Sequence, residues 1–294
     1  MKPPRAHALA VVALALAPAI AAQEPDTTRP RRIRAQMDSA LVQGAIYNRP
    51  FIAATGRTAI GGYVEANTNY FREDGISEGF SMEIRRFNVF LFSSLGSRIR
   101  FLSELEFQHG TEEIDLEMAV VDFVVNPSFV LRGGVILPPV GAFNVNHDSP
   151  RWDFVERPLV STEIIPATLA EIGFGAHGRL FPRGFVVTYD GYLSNGLGDG
   201  VILNAAGRTR LASGKSAGLV SADNNGRPAV SGRLGFQRRN LGEVGLSYYG
   251  GTYNTFRVDG LDVDARRGVS LAALDFNTEI RSVSLRGELA LAWI

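Results

Sequence analysis

The sequence predicts an all-β protein, an antiparallel up-and-down transmembrane β-barrel, and three features predict it. The chain opens on an export signal, its hydropathy takes a two-residue period beyond Thr58, and the links between the alternating segments switch between tight and long.

The N-terminus comes first. Lys2 and Arg5 precede a small and apolar run, Ala8 to Ala22, which exits through Ala19-Ile20-Ala21 or Ile20-Ala21-Ala22, the small residues that signal peptidase reads. Residues 1–22 are therefore expected to be a cleaved signal peptide, since the run is shorter than the roughly 20 residues a spanning helix needs. Residues 23–57 change character, with Pro25, Arg29, Pro30, Arg31, Arg32 and Arg34 ahead of a weakly helical stretch, Met37 to Ile46. Two readings stand for this unit: a periplasmic leader that plugs or caps the barrel, and a disordered basic tail. Residues 58–294 are expected to be the barrel itself.

Composition removes several function classes. The chain has no Cys, which excludes a small disulfide-stapled domain, thiolate metal sites and Cys nucleophiles. Thirty basic residues balance 30 acidic ones. Without Lys2 and Arg5 the acidic side leads by two, so nothing favours a nucleic-acid partner. Lys2 and Lys215 are the only lysines.

Each strand rests on its own alternation. Thr58 to Phe71 sets Glu65, Asn67 and Asn69 on one face, and Met82 to Ser93 follows less regularly. Arg98 to Gln108 alternates Arg98, Arg100, Glu104, Glu106 and Gln108 with Ile99, Phe101, Leu105 and Phe107. Asp115 to Val125 and Phe129 to Leu137 come next. Glu171 to Phe181 sets Glu171, His177 and Arg179 against Ile172, Phe174 and Leu180, and Gly184 to Ser194 follows. Pro228 to Arg239 sets Arg233, Gln237 and Arg239 against Val230, Leu234 and Phe236. After Gly242 to Gly250 and Gly268 to Phe276, Ile280 to Leu291 closes the series, with Arg286 and Glu288 against Leu285, Leu289 and Leu291. Eleven strands are visible, each with one apolar and one polar face.

Tight links at Leu95-Gly96-Ser97, Asn126-Pro127-Ser128, Phe181-Pro182-Arg183 and Asn240-Leu241-Gly242 alternate with long ones over 72–81, 109–114, 138–170, 195–227 and 251–267. Short periplasmic turns and long outer loops are the asymmetry of an outer-membrane barrel. Period alone also fits a soluble sandwich or lipocalin-like barrel, but about eleven strands in one up-and-down series exceed what those folds use. Tyr63, Tyr70, Phe71, Phe107, Phe181, Phe185, Tyr192, Tyr248 and Tyr249 near strand ends are expected to form interfacial girdles.

The stretch from Leu116 to Arg179 carries Ala119-Val120-Val121-Asp122-Phe123, Arg132-Gly133-Gly134, Pro138-Pro139-Val140-Gly141, Phe143-Asn144, His147-Asp148, Arg157-Pro158-Leu159-Val160 and Glu171-Ile172-Gly173. It resembles the phosphate-selective porin O and P family, with similarity from about Gly61 onward. The resemblance implies a porin of 16 strands, usually a homotrimer, whose third outer loop folds inward to narrow a water-filled channel for small hydrophilic solutes, anions included. Its expected partners are outer-membrane lipid and those solutes. The alternative is a plugged, structural or adhesive outer-membrane barrel without channel activity.

On this reading the pore is lined by Arg98, Arg100, Glu104, Glu106, Arg179, Arg233, Arg239 and Arg286, and residues 138–170 form the constriction loop with Asp148, Arg151, Asp153, Glu156 and Arg157. Both signs are mixed and no lysine cluster exists, so phosphate selectivity does not carry over, although Arg remains a good bidentate phosphate partner. Eleven strands do not close a barrel, and the sequence stops in mid-strand at Ala290-Leu291-Ala292-Trp293-Ile294. The expectation is a fragment lacking about five strands; the alternative is a small barrel with one strand unread.

No enzyme, metal site or cofactor is expected. His109, His147 and His177 show no His-x-x-x-His or Glu-x-x-His spacing, and no Gly-x-Ser-x-Gly elbow is present. An outer-membrane hydrolase would have to use His147 or Ser149. The His147-Asp148 pair suggests acid–base chemistry or a metal ligand, with a solvated loop pair preferred. Glu104 and Glu106 lie about 7 Å apart on one face by strand rise, as a polar wall requires. Asp199 and Asp223-Asn224-Asn225 offer Ca²⁺-type oxygens without the twelve-residue pattern, which favours a flexible loop. Gly196 to Gly200 has no helix after it and is no phosphate loop.

Overall fold

A computed structural model describes residues 53–55, 58–110, 112–238, 241–280 and 282–294. The expected signal peptide and most of the expected leader lie outside these residues. The eleven strands read from the sequence are all present: β2 (Thr58–Glu73), β3 (Ile76–Leu95), β4 (Ile99–Gln108), β5 (Glu113–Asn126), β6 (Phe129–Ile136), β7 (Glu171–Leu180), β8 (Val186–Ser194), β9 (Ala229–Arg238), β10 (Gly242–Thr252), β13 (Gly268–Ile280) and β14 (Val283–Trp293). A short β1 (Ala53–Thr55) precedes them, inside the segment read as leader, and pairs with Thr58 to Ile60. A small ribbon, β11 (Arg257–Val258) with β12 (Leu261–Asp262), decorates the link from β10 to β13. Among the described residues two α-helices occur, each a single turn, α1 (Leu159–Glu163) and α2 (Gly218–Ser221).

Twelve strands form one antiparallel sheet in the order β1 through β10, then β13 and β14, so each strand lies beside its neighbour in sequence. Tight turns occupy one end, and the segments 137–170, 195–228 and 253–267 the other. The expected outer loop over 72–81 is a correction. There β2 and β3 continue to a tight hairpin at Asp74-Gly75, whose φ values of 48° and 87° are those an Asp-Gly turn supplies.

Alternation fixes which side chains share a face. Ile60, Phe87, Leu105, Phe123, Leu131, Phe174, Leu193, Leu234, Leu246, Leu274 and Leu289, one from each long strand, point outward and are solvent-exposed. The opposite face buries Asn88, Glu104, Glu106, Asp122, Arg132, Glu171, His177, Ser231, Ser247 and Asp275. Of the four register shifts in the sheet, two bear on the inner face, at Arg85 in β3 and at Glu117 in β5, where the register skips one residue. Each bulge turns an extra charged side chain to the inner face, so Arg85 joins Arg86, and Glu117 joins Met118.

The sheet is curled around the 137–170 segment. Asp153 reaches Arg286 on β14 at 3.4 Å, and Glu156, three residues on, reaches Arg85 on β3 at 2.9 Å. In a flat sheet those strands would stand about 43 Å apart at ~4.8 Å per step. Three residues span at most about 11 Å, so β3 and β14 must face one another across the loop. Two apolar clusters fill the loop end of the concavity. Val140, Ile165, Leu169, Leu197, Val201 and Leu211 from the long segments pack on Tyr249, Val269 and Leu271. Met118, Val120, Ile136, Leu137 and Tyr192 make the second cluster.

Candidate functional site

The 137–170 segment crosses the inner face and is tied down along its length. At Gly141 a φ of 67° favours glycine, and the Glu288 carboxylate lies 2.5 Å from where a Cβ would stand. Its N–H donates to Ser247 Oγ at 2.8 Å, and the next two amides, Ala142 and Phe143, donate to Glu288 at 2.7 and 3.0 Å. Asn144 staples the two ends of the segment together. Its Nδ2 donates to the Pro138 and Leu169 carbonyls at 2.8 and 3.1 Å, and its Oδ1 accepts from Leu169 N at 2.7 Å. Farther along, Arg157 donates to the Ala167 carbonyl at 2.7 Å and lies over Trp152, as does Arg86 from the wall.

Beneath this crossing lies an acidic cluster. His147 and Asp148 are each 1 % exposed, and Glu104 and Glu106 are 0 % exposed. His147 Nδ1 sits 2.9 Å from the Asn144 carbonyl, while Nε2 sits 2.5 Å from Glu117 Oε2 and 3.9 Å from Glu104 Oε1. Burial by itself favours a neutral imidazole, but the Glu117 carboxylate, with Glu104 and Asp148 behind it, pushes the His147 pKa up to about 9. The cation therefore bonds the loop to the wall. Asn88 donates to Glu104 at 2.8 Å. Neither Glu106 oxygen accepts a hydrogen bond, and Arg86 Nε stands 3.6 Å away while its Nη1 is held by Glu65 at 2.8 Å. Glu104, His147 and Asp148 bring one ligand atom each within 4.8 Å of one another.

Elsewhere the inner wall carries ion pairs. Arg132 holds Asp122 directly across the β5–β6 register with two bonds of 2.6 and 2.7 Å, and His177 stands 3.6 Å from the same carboxylate. Arg233 on β9 reaches over Gly245 of β10 to Asp275 on β13 at 2.6 and 3.0 Å, and also meets Glu243 at 2.8 Å. Gly245 makes that reach possible, because a Cβ there would stand 2.2 Å from Arg233 Nη2. Glu171 accepts from Ser194 and, at 2.7 Å, from Tyr249.

Several expectations need correction. Arg98 is not on the wall; it lies exposed in the β3–β4 turn. Arg239 lies outside the described residues. Glu104 and Glu106 face inward but line no open surface, because the loop covers them. Arg233 is committed to two acids. Arg100, Arg179 and Arg286 do face inward with partial or full exposure. In the loop, Asp153 and Glu156 are exposed and pair with wall arginines, Arg151 and Arg157 are half-buried, and Asp148 is buried. The His147-Asp148 pair is thus no solvated loop pair. Tyr63, Tyr192 and Tyr249 belong to the interior and not to a girdle, while Tyr70, Phe71, Phe181, Phe185 and Tyr248 are exposed as expected. The 195–228 segment is pinned and not a free loop: Asp199 accepts from Thr255 N at 2.8 Å, and Asn224 and Asn225 donate to the Tyr253 and Thr252 carbonyls.

Reading the sequence missed Glu117, Arg86, Asn88, Asp122 and Arg132 as participants. A signal existed for two of them. The Arg85-Arg86 doublet breaks alternation, and in β5 the polar phase moves from odd positions (Glu113, Asp115, Glu117) to the even Asp122, as a bulge requires.

No family model matches the chain. It is similar to an uncharacterized protein of Aquifex aeolicus (strain VF5), 31 % identical over 188 residues that make up 62 % of this chain and 40 % of that protein. The chain thus spans well under half the length of that relative.

Proposed function

We propose that the curled sheet is a membrane-spanning β-barrel of the outer membrane that works as a porin, a passive channel for small hydrophilic solutes narrowed by the 137–170 segment. The observation that carries this reading is the inverted arrangement of the sheet. Charged pairs lie inside, and large apolar side chains face out on every long strand, Met82 being 81 % exposed and Phe80 73 %. In water such a continuous apolar face is a liability far larger than the patches soluble monomers tolerate. In lipid the same face is satisfied, and the ladders between neighbouring strands pair the backbone groups within the sheet.

The loop supports the channel reading, since it crosses the interior at the level where Asp153 meets Arg286 and Glu156 meets Arg85. Arginines and acids are interleaved on the wall, which favours general diffusion over a dedicated phosphate site. A homotrimer rests only on the family resemblance. A plugged barrel is the second reading, favoured by the apolar cluster that the 137–170 and 195–228 segments build inside the sheet.

Insertion and conduction are tested separately. Protection of the Met82 and Phe80 face from water-soluble labels in proteoliposomes, with labelling of a Cys placed at Glu156, supports the membrane reading; uniform labelling of both refutes it. Conducting steps in a bilayer favour the porin, and silence from inserted protein favours the plug.

A further inference from the structure

We propose that Glu104, His147 and Asp148 form a binding site for one divalent transition-metal cation of the Zn²⁺ class, which clamps the inward segment to strand β4. Three independent pieces of geometry meet there. The three ligand atoms already lie within 4.8 Å of one another, and all three residues are buried. They come from two separate parts of the chain, the wall and the loop, as a clamp requires.

The second piece is the orientation of the imidazole. Its Nδ1 faces the Asn144 carbonyl at 2.9 Å, the outer hydrogen bond that fixes the tautomer of a metal-binding histidine and leaves Nε2 as the donor atom. Nε2 is turned into the carboxylates, 2.5 Å from Glu117 and 3.9 Å from Glu104. Tetrahedral ligands at ~2.0–2.1 Å from Zn²⁺ stand about 3.3 Å apart, so Nε2 and Glu104 need to approach by only a fraction of an ångström. The cation takes the Nε2 lone pair, and a proton held there passes to water.

Glu106 supplies the third piece. It is fully buried next to the cluster, within reach of the charges of Glu117 and His147, and neither of its oxygens accepts a hydrogen bond. Arg86 stands 3.6 Å from Glu106 through Nε, an ion pair too long for a hydrogen bond, and gives its Nη1 to Glu65, while Arg157 bonds the Ala167 carbonyl. A buried carboxylate without donors is costly, and a divalent cation beside it removes the cost. One nitrogen with carboxylate oxygens suits Zn²⁺ and its neighbours, whereas Ca²⁺ and Mg²⁺ take oxygen sets.

The test uses the whole chain, folded in detergent micelles, stripped with chelator and titrated with Zn²⁺ by calorimetry, with metal content measured by mass spectrometry. One Zn²⁺ per chain is expected, with affinity at least about tenfold weaker in Glu104→Gln and in His147→Gln, and X-ray absorption showing mixed nitrogen and oxygen neighbours. Absence of stoichiometric Zn²⁺, or full affinity in both variants, overturns the proposal. If a variant does not fold, the wild-type stoichiometry and absorption spectrum decide alone. None of these readouts needs conductance, so the site stands or falls apart from the channel.

Discussion

Two groups of charge share the inner face and differ in how they are satisfied. On β5 to β7 Asp122 faces Arg132 and His177, and on β9 to β13 Asp275 and Glu243 face Arg233. Beneath the inward segment, Glu104, Glu106, Glu117 and Asp148 crowd around one histidine, and Glu106 lacks a hydrogen-bond donor. The matched groups lie within the strand ladder and staple neighbouring strands. The second group lies where loop meets wall. Natural structures leave buried polar atoms unsatisfied where a function, an ion or a moving part uses them, and the contrast points to the loop–wall contact as the working part.

The largest break in this comparison is expected from Asp122→Ala, which leaves Arg132 buried without its carboxylate. A loss of about 3–5 kcal/mol follows from removing one partner of a buried pair, read as a lower urea midpoint in micelles. A loss below about 1 kcal/mol would show that the matched group staples nothing. Asn144→Ala comes next. It deletes three hydrogen bonds that close the 137–170 segment, costs about 1–2 kcal/mol, and makes the segment open to protease while the strands stay protected.

Glu106→Gln sharpens the contrast from the other side. Removing a buried charge that accepts no hydrogen bond and has only a 3.6 Å contact with Arg86 is expected to leave the metal-free protein as stable as before, or more stable by up to about 1 kcal/mol; destabilisation comparable to Asp122→Ala would erase the distinction between the two groups. Glu156→Gln should have the smallest effect, under about 1 kcal/mol, because its carboxylate is mostly exposed. The hydrogen bonds from Arg85 hold the Glu156 carboxyl below the usual carboxylate range. Its folded value is thus depressed, so the tie is fully present above the ordinary glutamate value and is lost as pH falls through the lowered one. Spin labels on the loop in wild type and Glu156→Gln should converge at acid pH and differ at neutral pH.

All eleven long strands could be read from the sequence because one face of each is apolar and the other polar, a period that survives any choice of environment. The Asp74-Gly75 hairpin was hidden by the polar run Arg72 to Asp74, although Asp-Gly is itself a turn signal. The site was harder to read. Glu104 and Glu106 were legible as inward residues, but their burial depends on a loop that lies more than 30 residues away in sequence. The bulge at Glu117 moved an acid onto the His147 ring by shifting the register by one residue. Non-local contacts of that kind leave no periodic trace.

The central claim is that this sheet encloses a channel narrowed by the 137–170 segment, and planar-bilayer conductance of the folded chain tests it most directly. The account predicts discrete single-channel steps that grow larger in Asn144→Ala. Silent bilayers from inserted, folded protein, for wild type and Asn144→Ala alike, would contradict it.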